Sequence, residues 1–474
     1  MTLALPHHIE LATHAYPDIE FSEDLVRQFD VSGPRYTSYP TADRFVSDVG
    51  RVTYQHYLQE RATGVNNPLL SVYVHLPFCQ SLCYFCACNK VVTQDRTRSA
   101  RYIDYLEKEM RLVARNLGTD RRVGQMHWGG GTPTFLCHDE LARLMGQLRE
   151  YFEPTPDAEM GIEIDPRTLT DDTLGYLASL GFNRTSFGVQ DFDESVQHAI
   201  NRVQPLEQVE HALKASRDHG FKSINMDLIY GLPRQTYDSF SRTLDHVIRL
   251  SPDRIALYNY AHLPARFKAQ RLINEHELPQ ADDRLQIFLQ ATRRLLEAGY
   301  VYIGLDHFAK PDDELNKARL EGSLHRNFQG YTTRAEYDLV GLGVSAISKV
   351  GASYTQAVRS VPAYYEALDE GHLPIERGIE LSHDDLLRRE IIMTIMCSMP
   401  LSYTHLNEQW GIDFRAYFAS EIERLKPMEQ AGLLQLGPKA LHVTAQGRLF
   451  VRAIGMVFDR YLTTPSRATY SKLI

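Results

Sequence analysis

The chain reads as an α/β protein: a partial (β/α)6 barrel with an N-terminal segment before it and a mainly helical, winged-helix-like domain after it. Three observations predict this. Short apolar, β-branched runs recur at 70–76, 123–128, 160–164, 185–189, 223–229 and 255–260. Patterns with helical period fill the gaps, at about 99–117, 138–153, 170–180, 192–200, 206–219 and 236–250. From about residue 360 the pattern changes to helices with short connections. Alternating strands and helices imply a parallel sheet with right-handed crossovers, and six units point to a partial barrel rather than a closed eightfold one.

Residues 1–67 carry no strand pattern. They include Ser32-Gly-Pro-Arg-Tyr-Thr-Ser-Tyr-Pro-Thr41, whose turn formers and aromatics read as an irregular but ordered segment. The barrel is expected over 68–355. A further run, Val301–Leu305, follows a helical pattern at about 283–298 and either closes or extends the sheet. The C-terminal domain is expected over 356–474. In it, Gly432–Thr444 reads as two short strands around a Gly-Pro turn, followed by an amphipathic helix at about 445–461. Winged-helix modules of this kind serve DNA binding or simple packing, and the fold alone does not choose.

At 474 residues the chain exceeds the size of one core and calls for more than one domain. No stretch matches a bilayer-spanning helix, and the first 25 residues lack the basic and apolar regions of a signal peptide. Both point to the cytoplasm, where thiols stay reduced and clustered cysteines read as a metal site. The net charge of −9 weighs against bulk nucleic-acid binding and leaves a local basic pocket open.

Four of the six cysteines lie in Cys79-Gln-Ser-Leu-Cys83-Tyr-Phe-Cys86-Ala-Cys88. The first three have the spacing C-x3-C-x2-C, so three thiolates can hold three corners of a four-iron cube. The fourth iron is left for a ligand carrying both an amine and a carboxylate, as S-adenosylmethionine (SAM) does. Zinc is the competing reading, but zinc sites usually add a second cysteine pair, and Cys137 and Cys397 are isolated. Those two read as buried small hydrophobes. Cys88 is too close to Cys86 to reach a separate corner and reads as a neighbour of the site.

Parallel α/β sheets place their chemistry at the carboxyl ends of the strands. Here those ends carry Pro77-Phe78 and the cysteine loop, Gly129-Gly-Gly-Thr-Pro133, Glu163-Ile-Asp165, Gln190-Asp191, Asp227 with Tyr230-Gly-Leu-Pro233, and Tyr260-Ala261-His262. Each has two readings. The glycine run is a tight turn or a backbone cradle for a ligand. Glu163 is a solvated carboxylate or an acceptor for a ribose diol. Arg202 and Asp227 form a structural ion pair, or bind the carboxylate and ammonium of an amino-acid end. Tyr73 is core or site.

These segments resemble the radical-SAM enzymes. Within that superfamily the chain resembles the oxygen-independent coproporphyrinogen III oxidase (dehydrogenase) family of bacterial haem synthesis. The narrower likeness rests on Gly33–Pro40, the CxFCxC ending with Asn89-Lys90, Gly304–Ala309, Asn327–Tyr331 and Gly341–Ser348, and it runs from about residue 20 to the C-terminus. The resemblance implies that Cys79, Cys83 and Cys86 bind a [4Fe–4S] cluster. It implies that Tyr73, Gly130, Glu163 and Ile347 contact the SAM on that cluster. Phe85, Gly131, Thr132, Gln190, Arg202, Asp227 and Ala261 are implied to contact a second SAM beside it.

The activity implied is oxidative decarboxylation of two propionates of coproporphyrinogen III to vinyl groups, giving protoporphyrinogen IX. A reduced flavodoxin or ferredoxin-type electron donor, an unidentified electron acceptor and a monomer come with the family; nucleic acid and membrane do not. Propionates call for nearby cations, and Arg35 is either such an anchor or a surface or capping arginine. The competing reading is a haem chaperone on the same barrel, which binds haem without turnover. Such relatives lack Cys88 and the Gly33–Pro40 segment, and this chain has both.

Overall fold

A computed structural model describes residues 23–29, 31–64, 67–334 and 337–463. Among these, twelve strands form one sheet. In chain order they are β1 (Leu70–Leu76), β2 (Arg122–Gly130), β3 (Glu153–Ile164), β4 (Arg184–Gln190), β5 (Ser223–Tyr230), β6 (Arg254–Asn259), β7 (Val301–Gly304), β8 (His307–Ala309), β9 (Asp338–Leu342), β10 (Ile347–Val350), β11 (Ser353–Ala357) and β12 (Ile375–Glu380). The spatial order is β12-β11-β10-β9-β1-β2-β3-β4-β5-β6-β8-β7, which does not close into a ring.

The six expected β/α units are present, with β1 to β6 parallel in sequence order and crossover helices at Thr97–Leu117, His138–Tyr151, Thr173–Ser179, Leu206–Asp218, Tyr237–Leu250 and Ala281–Glu297. Covered on both faces, these strands are apolar and deeply buried: six of the seven residues of β1 are buried. The 301–305 run extends the sheet instead of closing it, as β7 and β8 pair antiparallel at the β6 edge.

Four strands escape the sequence reading. β9 lies parallel to β1 on its other side, and β10, β11 and β12 follow antiparallel. Every residue of β9 and β11 is buried, so neither shows the alternation that marks a half-exposed strand. A division at 355/356 falls inside β11, whereas the change to helices follows Glu380. We propose 380/381 as the division between barrel and C-terminal domain.

The C-terminal domain has helices at His383–Met396, Tyr403–Trp410 and Ala419–Gln430 around a three-stranded wing, Leu401–Ser402, Ala440–Val443 and Leu434–Leu436. The single helix expected at 445–461 is broken: Gln446–Phe450 and Arg460–Thr463 are 3-10 turns flanking an α-helix at Val451–Met456. Gly447 explains the break, because it packs so tightly on Leu433 that a β-carbon would overlap the Leu433 carbonyl. Cys397 is buried as expected, but Cys137 is exposed. It occupies the N-cap of helix His138–Tyr151, where the backbone N–H groups draw it to the helix end rather than into the core.

The Gly33–Pro40 segment wedges between the two domains. Tyr36 and Tyr39 are fully buried among Leu387, Ile391 and Phe458. The Tyr36 hydroxyl donates to Asp459 at 2.9 Å, and Arg452 donates to the Pro34 carbonyl at 3.1 Å. Arg35 is half-buried and ion-paired. Its Nη1 donates to Asp306 at 2.7 Å, and its guanidinium lies 5.7 Å from the Tyr258 ring centre.

Helix Thr97–Leu117 fastens the β1 and β9 ends. Tyr102 donates to the His75 carbonyl at 3.0 Å, and Glu109 accepts from the Gly343 N–H at 2.7 Å and the Tyr364 hydroxyl at 2.6 Å. Burial pushes the Glu109 carboxyl up to about 7, against the pull of those two bonds. Folding therefore favours the protonated form. That contribution is complete below the ordinary carboxylate range and is lost as pH rises toward 7. Glu109→Gln should flatten this loss, leaving the variant more stable than the wild type at pH 8, by an amount on the order of 2 kcal/mol, and little changed at pH 4.5. Thermal melts across that range check it; parallel pH profiles for the two proteins would refute it.

Candidate functional site

All six carboxyl ends of β1 to β6 open on the same edge, and the loop after β1 crosses it. Bonds from separate parts of the chain pin this loop. Tyr84 N–H donates to the Ile200 carbonyl at 3.0 Å, Asn201 to the Leu82 carbonyl at 2.8 Å, and Gln270 to the Phe85 carbonyl at 3.0 Å. Lys90 donates to the Cys86 carbonyl at 3.0 Å, and Asn89 to the Arg359 carbonyl at 3.0 Å. The local turns set the cysteine spacing; these distant partners set where the thiols point.

A cavity of about 390 Å3 lies beneath the loop. Cys79, Cys83, Cys86 and Cys88 line it, together with Phe85, Gly130, Gly131, Thr132, Glu163, Gln190, Arg202 and Asp227. Eleven of the fourteen residues singled out above as cluster or SAM contacts thus share one chamber, Cys88 lining it beside them. The other three sit around it. Tyr73 projects from the inner face of β1, its hydroxyl 3.2 Å from His75 Nδ1 and its ring stacked on His127. Gln270 bonds both the Ala261 and Phe85 carbonyls, which ties Ala261 to the cysteine loop. Ile347 opens β10, opposite Gln356. A smaller cavity inside the barrel shares Glu163, Ser186 and Asp227 with the first.

The anticipated ion pair between Arg202 and Asp227 is not formed. Arg202 Nη1 instead meets Asp165 at 3.0 Å and the Cys83 sulfur at 3.4 Å. Arg167, which the sequence reading passed over, does the same: its Nη2 lies 2.7 Å from Asp165 and 3.4 Å from the same sulfur. Burial pushes the Asp165 carboxyl up, but the Arg202 and Arg167 charges outweigh it and hold it low. Asp227 is bonded to Ser186 at 3.0 Å and Asn225 at 2.9 Å, and burial with the nearby Glu163 charge pushes it up to about 6.

Glu163 stays ionised. Burial pushes its carboxyl up, but His127 at 3.2 Å and the Gly130 N–H at 3.1 Å outweigh that and lower it. His127 is a second residue missed in the sequence; its position on β2, two residues before Gly129, places it on the same inner face as Glu163 of β3.

The thiols differ among themselves. Burial pushes Cys79 up to about 11, although Thr132 Oγ1 lies 3.7 Å from its sulfur. Cys86 is lowered to about 6, chiefly by the Cys88 thiol and then by Lys90, while Cys88 is raised by the same contact. Cys88 thus influences the neighbouring Cys86 thiol, a role that spacing alone does not give.

These features fit an iron–sulfur cluster. Cys79, Cys83 and Cys86 line one chamber, and a cube takes its thiolates at separate corners. Two guanidinium groups on Cys83 suit an anionic cluster. The glycine turn supplies a close backbone approach. Gly130 has φ 112°, where a β-carbon would strike the His75 ring, and a β-carbon on Gly131 would lie 2.7 Å from the Phe78 carbonyl oxygen.

The chain matches the Radical SAM superfamily over residues 73–247 and the HemN C-terminal domain over residues 381–450. It is 49% identical over 458 residues to oxygen-independent coproporphyrinogen III oxidase of Pseudomonas aeruginosa, covering 96% of this chain and 99% of that protein. The Escherichia coli protein of the same name is 47% identical over 449 residues, covering 95% and 97%. The solved structure of coproporphyrinogen III oxidase (HemN) from Escherichia coli, described as a radical SAM enzyme, superposes with a TM-score of 0.89 at 45% identity, covering 94% of this chain and all of that one.

Gly131→Ala should force apart the Gly131 turn and the Pro77–Phe78 backbone, and move Cys79 with them. Expected is about ten-fold weaker SAM binding in calorimetry on the anaerobically reconstituted protein. Gly146→Ala, where an added β-carbon meets nothing within 4 Å, is the control. Unchanged binding by the first variant would remove Gly131 from the site.

Proposed function

Because the chain belongs to the oxygen-independent coproporphyrinogen III oxidases, a family of radical SAM enzymes, we propose that it converts coproporphyrinogen III to protoporphyrinogen IX by oxidative decarboxylation of two propionates to vinyl groups. The supporting observation is the single chamber that brings Cys79, Cys83 and Cys86 together with Gly130, Glu163 and Asp227. Membership brings a [4Fe–4S] cluster and SAM as cofactors. When bound, they supply the radical that takes hydrogen from a propionate side chain.

In this reading Cys79, Cys83 and Cys86 hold the cluster. Arg167 and Arg202 face the Cys83 sulfur with positive charge, which suits an anionic cluster. Tyr73, Gly130, Glu163 and Ile347 hold the SAM at the cluster. Glu163, kept ionised by His127 and the Gly130 N–H, presents a carboxylate to a ribose diol. Phe85, Gly131, Thr132, Gln190, Arg202, Asp227 and Ala261 hold a second SAM. Asp227, with its raised carboxyl, gains most by ionising against a cationic ligand. The N-terminal wedge and the C-terminal domain close over the barrel. A flavodoxin or ferredoxin-type protein delivers electrons, and the protein works as a monomer in the cytoplasm. No helix among the described residues is long and apolar enough to cross a membrane.

The test is turnover. Anaerobically reconstituted protein should hold about four irons. With coproporphyrinogen III, SAM and a chemical reductant, it should give protoporphyrin fluorescence after oxidation. Cys83→Ser should lose both the cluster and SAM cleavage. An active Cys83→Ser protein would sink the cluster assignment. Stable haem binding without turnover would replace the enzyme by a haem carrier.

A further inference from the structure

Arg167 lines the cysteine chamber but is not among the residues implied to contact SAM. Its place is fixed locally. The Asp165 side chain caps the short turn Pro166–Thr168 by accepting from the Arg167 N–H at 3.1 Å. The same carboxylate grips the guanidinium with both oxygens: Arg167 Nε lies 3.0 Å from Oδ1 and Nη2 lies 2.7 Å from Oδ2. A two-point grip gives a planar guanidinium one orientation. In that orientation Nη2 also meets the Cys83 sulfur at 3.4 Å. The Arg167 and Asp165 side chains are 19% and 10% exposed, so solvent and salt screen this contact little.

The charges beside Cys83 do not cancel. Arg202 Nη1 reaches the same sulfur at 3.4 Å and the same carboxylate at 3.0 Å. Among the described residues, Asp165 is the one acid within ion-pair distance of either arginine. Two cations share one anion, so a positive charge is left over at this sulfur. By comparison, the Cys79 sulfur meets the neutral Thr132 hydroxyl at 3.7 Å.

A reduced iron–sulfur cluster carries one more negative charge than the oxidised form. A cation that also donates a hydrogen bond to a ligand sulfur therefore holds the reduced form more strongly and raises the potential. Of the two arginines, Arg202 is also tied to the Gly188 carbonyl through Nε at 3.2 Å and is implied to contact a second SAM. Arg167 has no such second task. Among the described residues, its side chain bonds only Asp165 and Cys83.

We propose that Arg167, aimed by Asp165, raises the reduction potential of the cluster held by Cys83 and so brings it within reach of the electron donor. Arg167 is a positioning residue here, acting through the Cys83 sulfur and not on the substrate. The step it governs is the passage of one electron from donor to cluster, in which no bond forms or breaks. This rests on the cluster assignment above.

The test is a reductive titration of the anaerobically reconstituted protein, without SAM or substrate, followed by electron paramagnetic resonance. Arg167→Gln and Arg167→Met should each make the one-electron reduction about ten-fold less favourable, a fall of about 59 mV in midpoint. Arg167→Lys keeps the charge and should recover most of that fall. Arg249→Gln removes an exposed charge paired with Glu210 and should leave the midpoint unchanged. A neutral variant that loads iron and keeps the wild-type midpoint overturns the inference. So does a lysine variant as low as the glutamine one, or a fall of the same size in Arg249→Gln. If neither neutral variant holds a cluster, Arg167 serves cluster assembly and the inference falls as well. If the wild type holds no cluster, the proposed function fails and this inference with it.

Discussion

One carboxylate organises the site. Asp165, at the end of β3, holds the guanidinium groups of Arg167 and Arg202, and each of these touches the Cys83 sulfur. All three side chains are largely shielded from solvent, so none can lose its partner cheaply. Breaking a buried ion pair by deleting one member typically costs about 3–5 kcal/mol. The charge network also joins three strand ends: Arg167 follows β3, Arg202 follows β4 and Cys83 follows β1. Arg202 reaches back further to the Gly188 carbonyl at 3.2 Å on β4. The barrel mouth is thus tied across its own strands by the charges that touch the Cys83 sulfur.

The second constraint is enclosure. The polar mouth of an open sheet would admit water at both edges. The Gly33–Pro40 wedge and the C-terminal helices are locked together through Tyr36 with Asp459 and Arg452 with Pro34. Arg35 joins the wedge to the barrel through Asp306. A segment rich in turn formers and aromatics therefore serves as a keystone between two domains. Three of its side chains, Arg35, Tyr36 and Tyr39, have hydrogen-bond partners on other elements.

Much of the fold was legible because it depends on local pattern. The six parallel strands and their helices follow from hydrophobic period. The candidate cluster ligands, Cys79, Cys83 and Cys86, were picked out by their spacing. The glycine turn and the acidic strand ends follow from the rule that parallel sheets place chemistry at one edge. The failures, Cys137 apart, share one cause. β9 and β11 are buried along their whole length and carry no alternation. The helix expected at 445–461 is broken by the packing of Gly447 on Leu433, and Cys137 is drawn out of the core by a helix end. The strands and the broken helix were decided by neighbours that are not adjacent in sequence.

The same division holds for the chemistry. By itself the sequence determined which residue types reach the mouth of the barrel, because strand period fixes the face and turn length fixes the end. Only the tertiary structure decided the pairings: Arg202 with Asp165 rather than Asp227, and Arg35 with Asp306 across 271 residues. Charges pair by distance in space, and the fold brings together partners that stand far apart along the chain.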